Sequence, residues 1–209
     1  DILGGHTEVT DAVTRAVTSA SVIARQPRTQ VLRGMRPGDD IVMTKWAAVE
    51  GTTILAEDFA ERLGSVSASV LDAARSLAGK LSIVPESRIA MQFGAVAMHD
   101  VTEGGVLGAS WELGFANHCA VSINTENIPI REETQALCEA LSLDPLRLIG
   151  SGSLLIACED GTKLVDALQA QGISAAVIGR AIEGNESFVD DFPLEEPHAD
   201  ELYRLYSQK

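Results

Sequence analysis

Basic side chains are scarce in this sequence. Lys and Arg together number 16 against 30 Asp and Glu, giving a formal charge of −14 and a pI near 4.6. A nucleic-acid surface needs clustered Lys and Arg, and an anionic lipid surface attracts the same groups, so neither partner is expected. An acidic cleft favours cations instead, and an anionic nucleotide would arrive there with magnesium. No run of about 18 apolar residues occurs, so no membrane-spanning helix is predicted. Cysteine is rare: Cys119, Cys138 and Cys158 form an odd set with no Cys-x-x-Cys pair, which reads as structural thiols in a reducing cytoplasm. No basic-then-apolar secretion signal opens the sequence as given, in keeping with that cytoplasmic expectation. What is present is a chain of 209 residues, 45% hydrophobic and 22% charged, with enough length to bury a sizeable core.

The organising stretch is 95–108, where a short apolar run gives way to polar residues, paired glycines and helical spacing. It reads as strand, tight turn, helix. Glycines allow a sharp turn or a close approach to a ligand, and a helix starting near Gly105 leaves first-turn N–H groups without internal partners. Such an end attracts anions. His99, Asp100, Thr102 and Glu103 precede those amides and offer a proton carrier, two carboxylates for a cation, and a hydroxyl, a set that suits a phosphate with its magnesium ion. The same residues also fit a structural role, with Asp100 or Thr102 capping the helix, Gly104 and Gly105 making the turn, and His99 hydrogen-bonded in place.

The run His99-Asp100-Val101-Thr102-Glu103-Gly104-Gly105 resembles the second-domain motif of the aminoimidazole ribonucleotide (AIR) synthetase superfamily of ATP-using enzymes. Three other segments agree in order: Gly4-Gly5-His6-Thr7-Glu8-Val9, residues 36–44, and Gly150-Ser151-Gly152-Ser153 before the apolar run 154–158. The motifs are most similar to those of the hydrogenase maturation branch. The resemblance implies a layered α+β fold, a mixed sheet covered by helices. It assigns residues 34–209 to the superfamily's C-terminal domain, and residues 1–33 to a β ribbon left from an N-terminal ATP-binding and dimerisation domain. It also implies a fragment, with the nucleotide-binding carboxylates of the first domain lying before Asp1. His6 departs from the Asp or Glu of relatives, and Glu8 is the alternative carboxylate.

By the same resemblance, the activity is ATP-dependent phosphorylation of an oxygen on a small or peptide-borne substrate, with ATP and Mg2+ as cofactors and a homodimer as the assembly. His99 and Asp100 take the catalytic roles, and Asp100 and Glu103 hold the metal. Thr102, Glu103, Gly104, Gly105, Ser151 and Gly152 meet the nucleotide. In the maturation branch a terminal cysteine receives the carbamoyl group that is then dehydrated. This sequence ends Ser207-Gln208-Lys209, so that step is not expected in cis. Two rival readings stand beside the enzyme: a binding module that kept the fold without catalysis, and a scaffold for metallocentre assembly.

Along the rest of the chain, residues 7–25 alternate as β structure does, with a hairpin near 10–15. Residues 40–44 read as a strand. Residues 46–63 read as a helix interrupted by Gly51-Thr52-Thr53, a patch that suits either the substrate side of a cleft or a close helix contact. Lys45 reads as a solvated lysine or, less strongly, a phosphate contact. Helices are predicted over 65–78, 85–93, 106–116 with Leu107, Trp111 and Phe115 inward, 132–141 with Ala136, Leu137, Ala140 and Leu141 buried, and 162–171. Strands are predicted at 95–100, the central one, and at 120–124, 154–158, 173–178 and 187–189. The backbone around 150–153 can point successive N–H groups one way, a concavity for phosphate, or form an ordinary turn. His118 and Cys119 point to opposite faces of a strand and make a poor chelating pair. A short helix over 199–206 offers Leu202, Tyr203 and Leu205 for docking.

Overall fold

The structure, a computed structural model, describes residues 2–24 and 32–206. The chain divides into two units, Asp1–Val31 and Leu32–Lys209. The elements of the second run β1 (Asp40–Thr44), α1 (Val49–Asp58), α2 (Ala68–Ser76), α3 (Val84–Gln92), β2 (Ala95–Asp100), α4 (Gly105–Ala116), β3 (Ala120–Ile123), α5 (Glu132–Leu141), β4 (Leu154–Cys158), α6 (Gly161–Gln169), β5 (Ala175–Ile182), β6 (Phe188–Val189), β7 (Phe192–Pro193) and α7 (Tyr203–Tyr206).

The strands form one mixed sheet in the order β2-β4-β1-β5-β3-β6-β7. All neighbours are antiparallel except β3 with β6. The inner strands are apolar on both sides, since both faces are covered. Ile41, Met43, Leu155 and Ala157 face the core shared with α4, while Val42, Leu154, Ile156 and Cys158 face a core that holds Ala90 of α3 and Leu164 and Leu168 of α6. A third core lies among helices: Leu55, Ala74 and Leu137 of α1, α2 and α5 meet Leu202 and Leu205 from the C-terminal tail.

Several expectations need correction. In the first unit no strand forms among the described residues, and Ile2, Val9, Val22 and Ile23 are at least 90% exposed. A lone ribbon gains stability only from partners, and none pairs with it there. What remains of the predicted hairpin is a turn at 11–12, where Thr10 Oγ1 accepts the Ala12 N–H at 3.1 Å. β2 is an edge strand, not a central one.

Helix α1 runs through Gly51-Thr52-Thr53 without a break. Thr52 Oγ1 donates to Ala48 O at 2.7 Å, and a Cβ at Gly51 would stand 2.5 Å from Leu148 Cγ, so the patch is the close helix contact. On α4, Phe115 points outward at 69% exposure and stacks on Trp111 with centroids 4.9 Å apart. The buried stripe of α5 is Glu133, Thr134, Leu137 and Cys138, because the helix meets α1 through the hydroxyl pair Thr52–Thr134 at 2.8 Å rather than through its alanines.

Candidate functional site

The β2–β4 ladder sets the site. Its last pair, Asp100 with Leu154, brings the segment after β2 against the segment before β4. Val101 N–H donates to Ser153 O at 3.1 Å, and Gly150 N–H donates to Thr102 O at 3.2 Å. Ser153 Oγ donates to Trp46 O at 2.6 Å, which ties in the loop after β1. Val101 is fully buried beneath this junction, and a Cβ at Gly150 would stand 2.6 Å from its Cγ1. The two stretches singled out from sequence are therefore joined at one junction, with Asp100, Thr102 and Glu103 on one side of it and Ser151 on the other.

At the start of α4, Gly104 (φ +79°) and Gly105 (φ +63°) occupy the left-handed region, which L side chains adopt only at a cost. The expectation of unpartnered first-turn amides does not hold. Gly104 N–H donates to Asp200 Oδ2 at 2.8 Å, Gly105 N–H to Thr102 O at 3.1 Å, and Leu107 N–H to Leu146 O at 3.2 Å. Asp200, 3% exposed, supplies the negative charge that the positive end of the helix dipole attracts. Gly152 (φ +110°) is buried, and a Cβ there would stand 3.1 Å from both Leu81 Cα and Lys80 O, so it serves as a packed turn.

The side chains that remain open are Asp100 and Glu103, both exposed and, among the described residues, without a hydrogen-bond or ion-pair partner. Thr102 and Ser151 are half-buried. His99 places Nδ1 2.6 Å from Asp100 O, a carbonyl that only accepts, so Nδ1 carries the proton. Its Nε2 then faces Glu112 Oε2 of α4 at 3.6 Å. Among the described residues no three His, Cys, Asp or Glu are grouped to hold a metal. Two hard carboxylates fit magnesium only when phosphate oxygens and water complete its shell, as that ion commonly accepts. A cavity of about 260 Å³ lies beside Gly104, lined also by Arg147, Pro197 and His198.

Lys45 is neither solvated nor a phosphate contact. It is 6% exposed, with Nζ 2.6 Å from Glu86 Oε1 and donating to Lys80 O and Ser82 O at 2.8 Å. The sequence reading missed Glu86, Glu112 and Asp200, whose partners are distant in the chain. Asp200 carried a weak signal, an acidic residue just before an apolar docking pair, which marks a local turn but names no partner.

The thiols lie apart from this site. Burial pushes Cys138 up to about 12 and Cys158 up to about 11, and raises Cys119 as well. The thiolate is the reactive form. A neutral thiol reagent at pH 8 is therefore expected to label Cys119 first and to reach Cys138 only on unfolding. Mass spectrometry of the labelled native chain checks this, and labelling of Cys138 before Cys119 would contradict it.

Residues 36–191 match the family model described as AIR synthase related protein, C-terminal domain. The chain belongs to that family. The AIR synthase-related domain is 33% identical over 162 residues to carbamoyl dehydratase HypE of Azotobacter vinelandii, covering 74% of this chain and 44% of that one. Among solved structures it is similar to HypE of E. coli, a hydrogenase maturation protein, with TM-score 0.66, 25% identity, and coverage of 83% of this chain and 54% of that one. A HypE solved in complex with ATP shares the fold with TM-score 0.57 at 19% identity, covering 79% and 52%. The chain thus spans about half the length of the relatives it matches.

Proposed function

We propose that this chain is the substrate-side domain of an ATP-dependent enzyme of the hydrogenase-maturation type, and that residues 1–33 belong to the domain that holds the nucleotide. The observation that carries the reading is the pair of unpartnered carboxylates, Asp100 and Glu103, at the junction whose other side carries Ser151. Similarity to carbamoyl dehydratase HypE, and to a HypE that binds ATP, supports it.

In this reading Asp100 and Glu103 hold magnesium, while Thr102 and Ser151 donate to phosphate oxygens beside Gly104, Gly105 and Gly152. His99 has Nδ1–H fixed on Asp100 O, and its Nε2, 3.6 Å from Glu112 Oε2, is the nitrogen that takes or returns a proton, the protonated ring being paired with Glu112. A substrate oxygen, of the amide or carbonyl kind, attacks the terminal phosphorus and ADP leaves. The oxygen, now part of a phosphate, becomes a good leaving group for a nucleophile or for loss across a carbon–nitrogen bond. Magnesium supplies neutralisation of the phosphate charge. A homodimer and a small or peptide-borne substrate complete the proposal.

Isothermal titration of the full-length protein with magnesium ATP tests it. Asp100→Ala is expected to weaken binding at least about tenfold, the scale of one lost charge-assisted contact. Binding that is unchanged by Asp100→Ala, or absent altogether, overturns the reading. One observation favours the rival binding or metallocentre-assembly module: Asp200 already fills the helix end where an anion was expected. Turnover of ATP excludes that rival.

A further inference from the structure

A helix that covers a sheet usually keeps its large apolar side chains inward, and Phe115 at the end of α4 does not. Its ring is 69% exposed and lies flat on Trp111, with centroids 4.9 Å apart and planes 10° from parallel. Trp111 packs against the core, so one face of the Phe115 ring is backed by the indole and the other is open. A cavity of about 270 Å³ lies beside the pair, walled by Gly114, His118, Cys119, Gly184, Asn185 and Ser187. Backbone packing fixes these walls. A Cβ at Gly114 would stand 2.8 Å from Cys119 O, so α4 lies directly on the segment that enters β3. Ser187 Oγ accepts from Val121 N–H at 3.0 Å and holds the end of the 183–187 turn to the same strand.

Charge selects what this platform takes. No Lys or Arg occurs between Arg88 and Arg131 or between Arg180 and Arg204, the two stretches that build the cavity. Glu183 and Glu186 flank Gly184 and Asn185 on the exposed turn and, among the described residues, have no hydrogen-bond or ion-pair partner. At the other end of the β3–β6 ladder, Glu126 and Asp191 stand in solvent beside a second cavity of about 430 Å³. An anion is repelled from such a surface, and so is a second copy presenting the same acidic face. A cation is attracted, and the face of an aromatic ring adds to the attraction. The guanidinium is the side-chain cation that also stacks flat on a ring. The chain uses this pairing twice within itself, with Arg131 over the Trp46 ring at 4.8 Å and Arg62 over the Phe59 ring at 5.4 Å. Phe115 offers the same kind of face without a guanidinium from the described residues.

We propose that this cleft docks an arginine side chain carried by a basic segment of a partner protein. The guanidinium lies on the open face of Phe115, and Glu183 and Glu186 neutralise it from the turn. Further positive charges on the segment meet Glu126 and Asp191 at the far end of the ladder, which makes a polypeptide the occupant rather than free arginine. The surface shares no residue with the nucleotide site proposed above, so the two readings stand or fall separately.

Nuclear magnetic resonance of the isotope-labelled full-length protein tests the docking, through the Trp111 indole N–H and the amides of 114–119 and 183–187. The probe is a capped pentapeptide with arginine at both ends and glycine and serine between. It is expected to shift those signals saturably, and less at high salt. The same peptide with citrulline for arginine keeps the shape without the charge, and is expected to leave them in place. Phe115→Ala is expected to weaken binding of the arginine peptide about fivefold, the scale of one exposed cation–π contact. Glu183→Gln combined with Glu186→Gln is expected to weaken it about threefold and to flatten its salt dependence. These variants change exposed side chains, and an unaltered spectrum away from the cleft shows that the fold is kept. Equal shifts with the citrulline peptide, binding untouched by Phe115→Ala, or a Trp111 indole signal that does not respond in the full-length protein each overturn the proposal. Magnesium ATP added to the same sample bears on the nucleotide reading alone.

Discussion

Lys45→Met is expected to lower the stability of the fold by about 3–5 kcal/mol, the cost of breaking a buried ion pair by removing one partner. Lys45 Nζ spends all three of its protons inside the protein, on Glu86 Oε1, Lys80 O and Ser82 O. The side chains of Lys45 and Glu86 are 7% and 4% exposed. Glu86 Oε2 already has no hydrogen-bond partner and is buried. Taking away the ammonium leaves a carboxylate with neither countercharge nor water, together with two carbonyls that lose their donor. Urea denaturation of the variant measures the loss. The double variant Lys45→Met with Glu86→Leu is expected to recover most of it, since an apolar pair of similar volume removes the orphaned charge. A loss under about 1 kcal/mol for the single variant would mean that the pair is screened like a surface salt bridge.

Gly105→Ala is expected to cost about 2–4 kcal/mol from two separable causes. The residue sits at φ +63°, where an L side chain is strained by about 1–2 kcal/mol. An added methyl would also press on Leu146 O and stand 2.8 Å from Leu146 C and 2.9 Å from Arg147 C, all backbone atoms that cannot rotate away. Overpacking of that kind adds about 1–3 kcal/mol. Gly172→Ala isolates the first cause, because Gly172 has φ +74° and nothing within 4 Å of its added Cβ. The difference between the two variants in denaturation midpoint therefore reports the contact with residues 146–147. The Leu107 amide, which donates to Leu146 O, is expected to lose exchange protection in Gly105→Ala alone. Equal losses in the two variants would show that the backbone contact yields without strain.

The elements legible in the sequence are those whose cause is local. Residues 40–44, 95–100 and 154–158 are apolar runs bounded by turn formers and became β1, β2 and β4. The spacing of Val70, Ala74 and Leu77 placed α2, with Ser67 capping it by accepting from Val70 N–H. The motif around His99 and the glycine pair was legible as a junction, and its meeting with 150–153 follows from the β2–β4 register. What sequence could not supply was which partner each polar group takes. Lys45 finds its carboxylate 41 residues away and Gly104 finds its anion 96 residues away, with no period or spacing that connects them. Phe115 and the alanines of the α5 stripe failed for a related reason, while Leu137 is buried as expected: periodicity names an apolar face but not the neighbour, and tertiary contacts chose Thr134 over Ala136 and left Phe115 on Trp111 in solvent. The edge position of β2 depends on strand order, which the run of its own residues does not encode.

The sheet order has a consequence for how the protein is made. β1 lies between β4 and β5, so it leaves the ribosome well before both of the strands it pairs with. At about 5–20 residues per second, translation leaves β1 waiting on the order of ten seconds. During that interval Ile41, Val42 and Met43 have no sheet to join and are exposed to chaperones or to neighbouring nascent chains. A stalled or shortened message that stops before Ala175 would release a polypeptide with one edge of β1 unmatched, an aggregation-prone product rather than a smaller working domain.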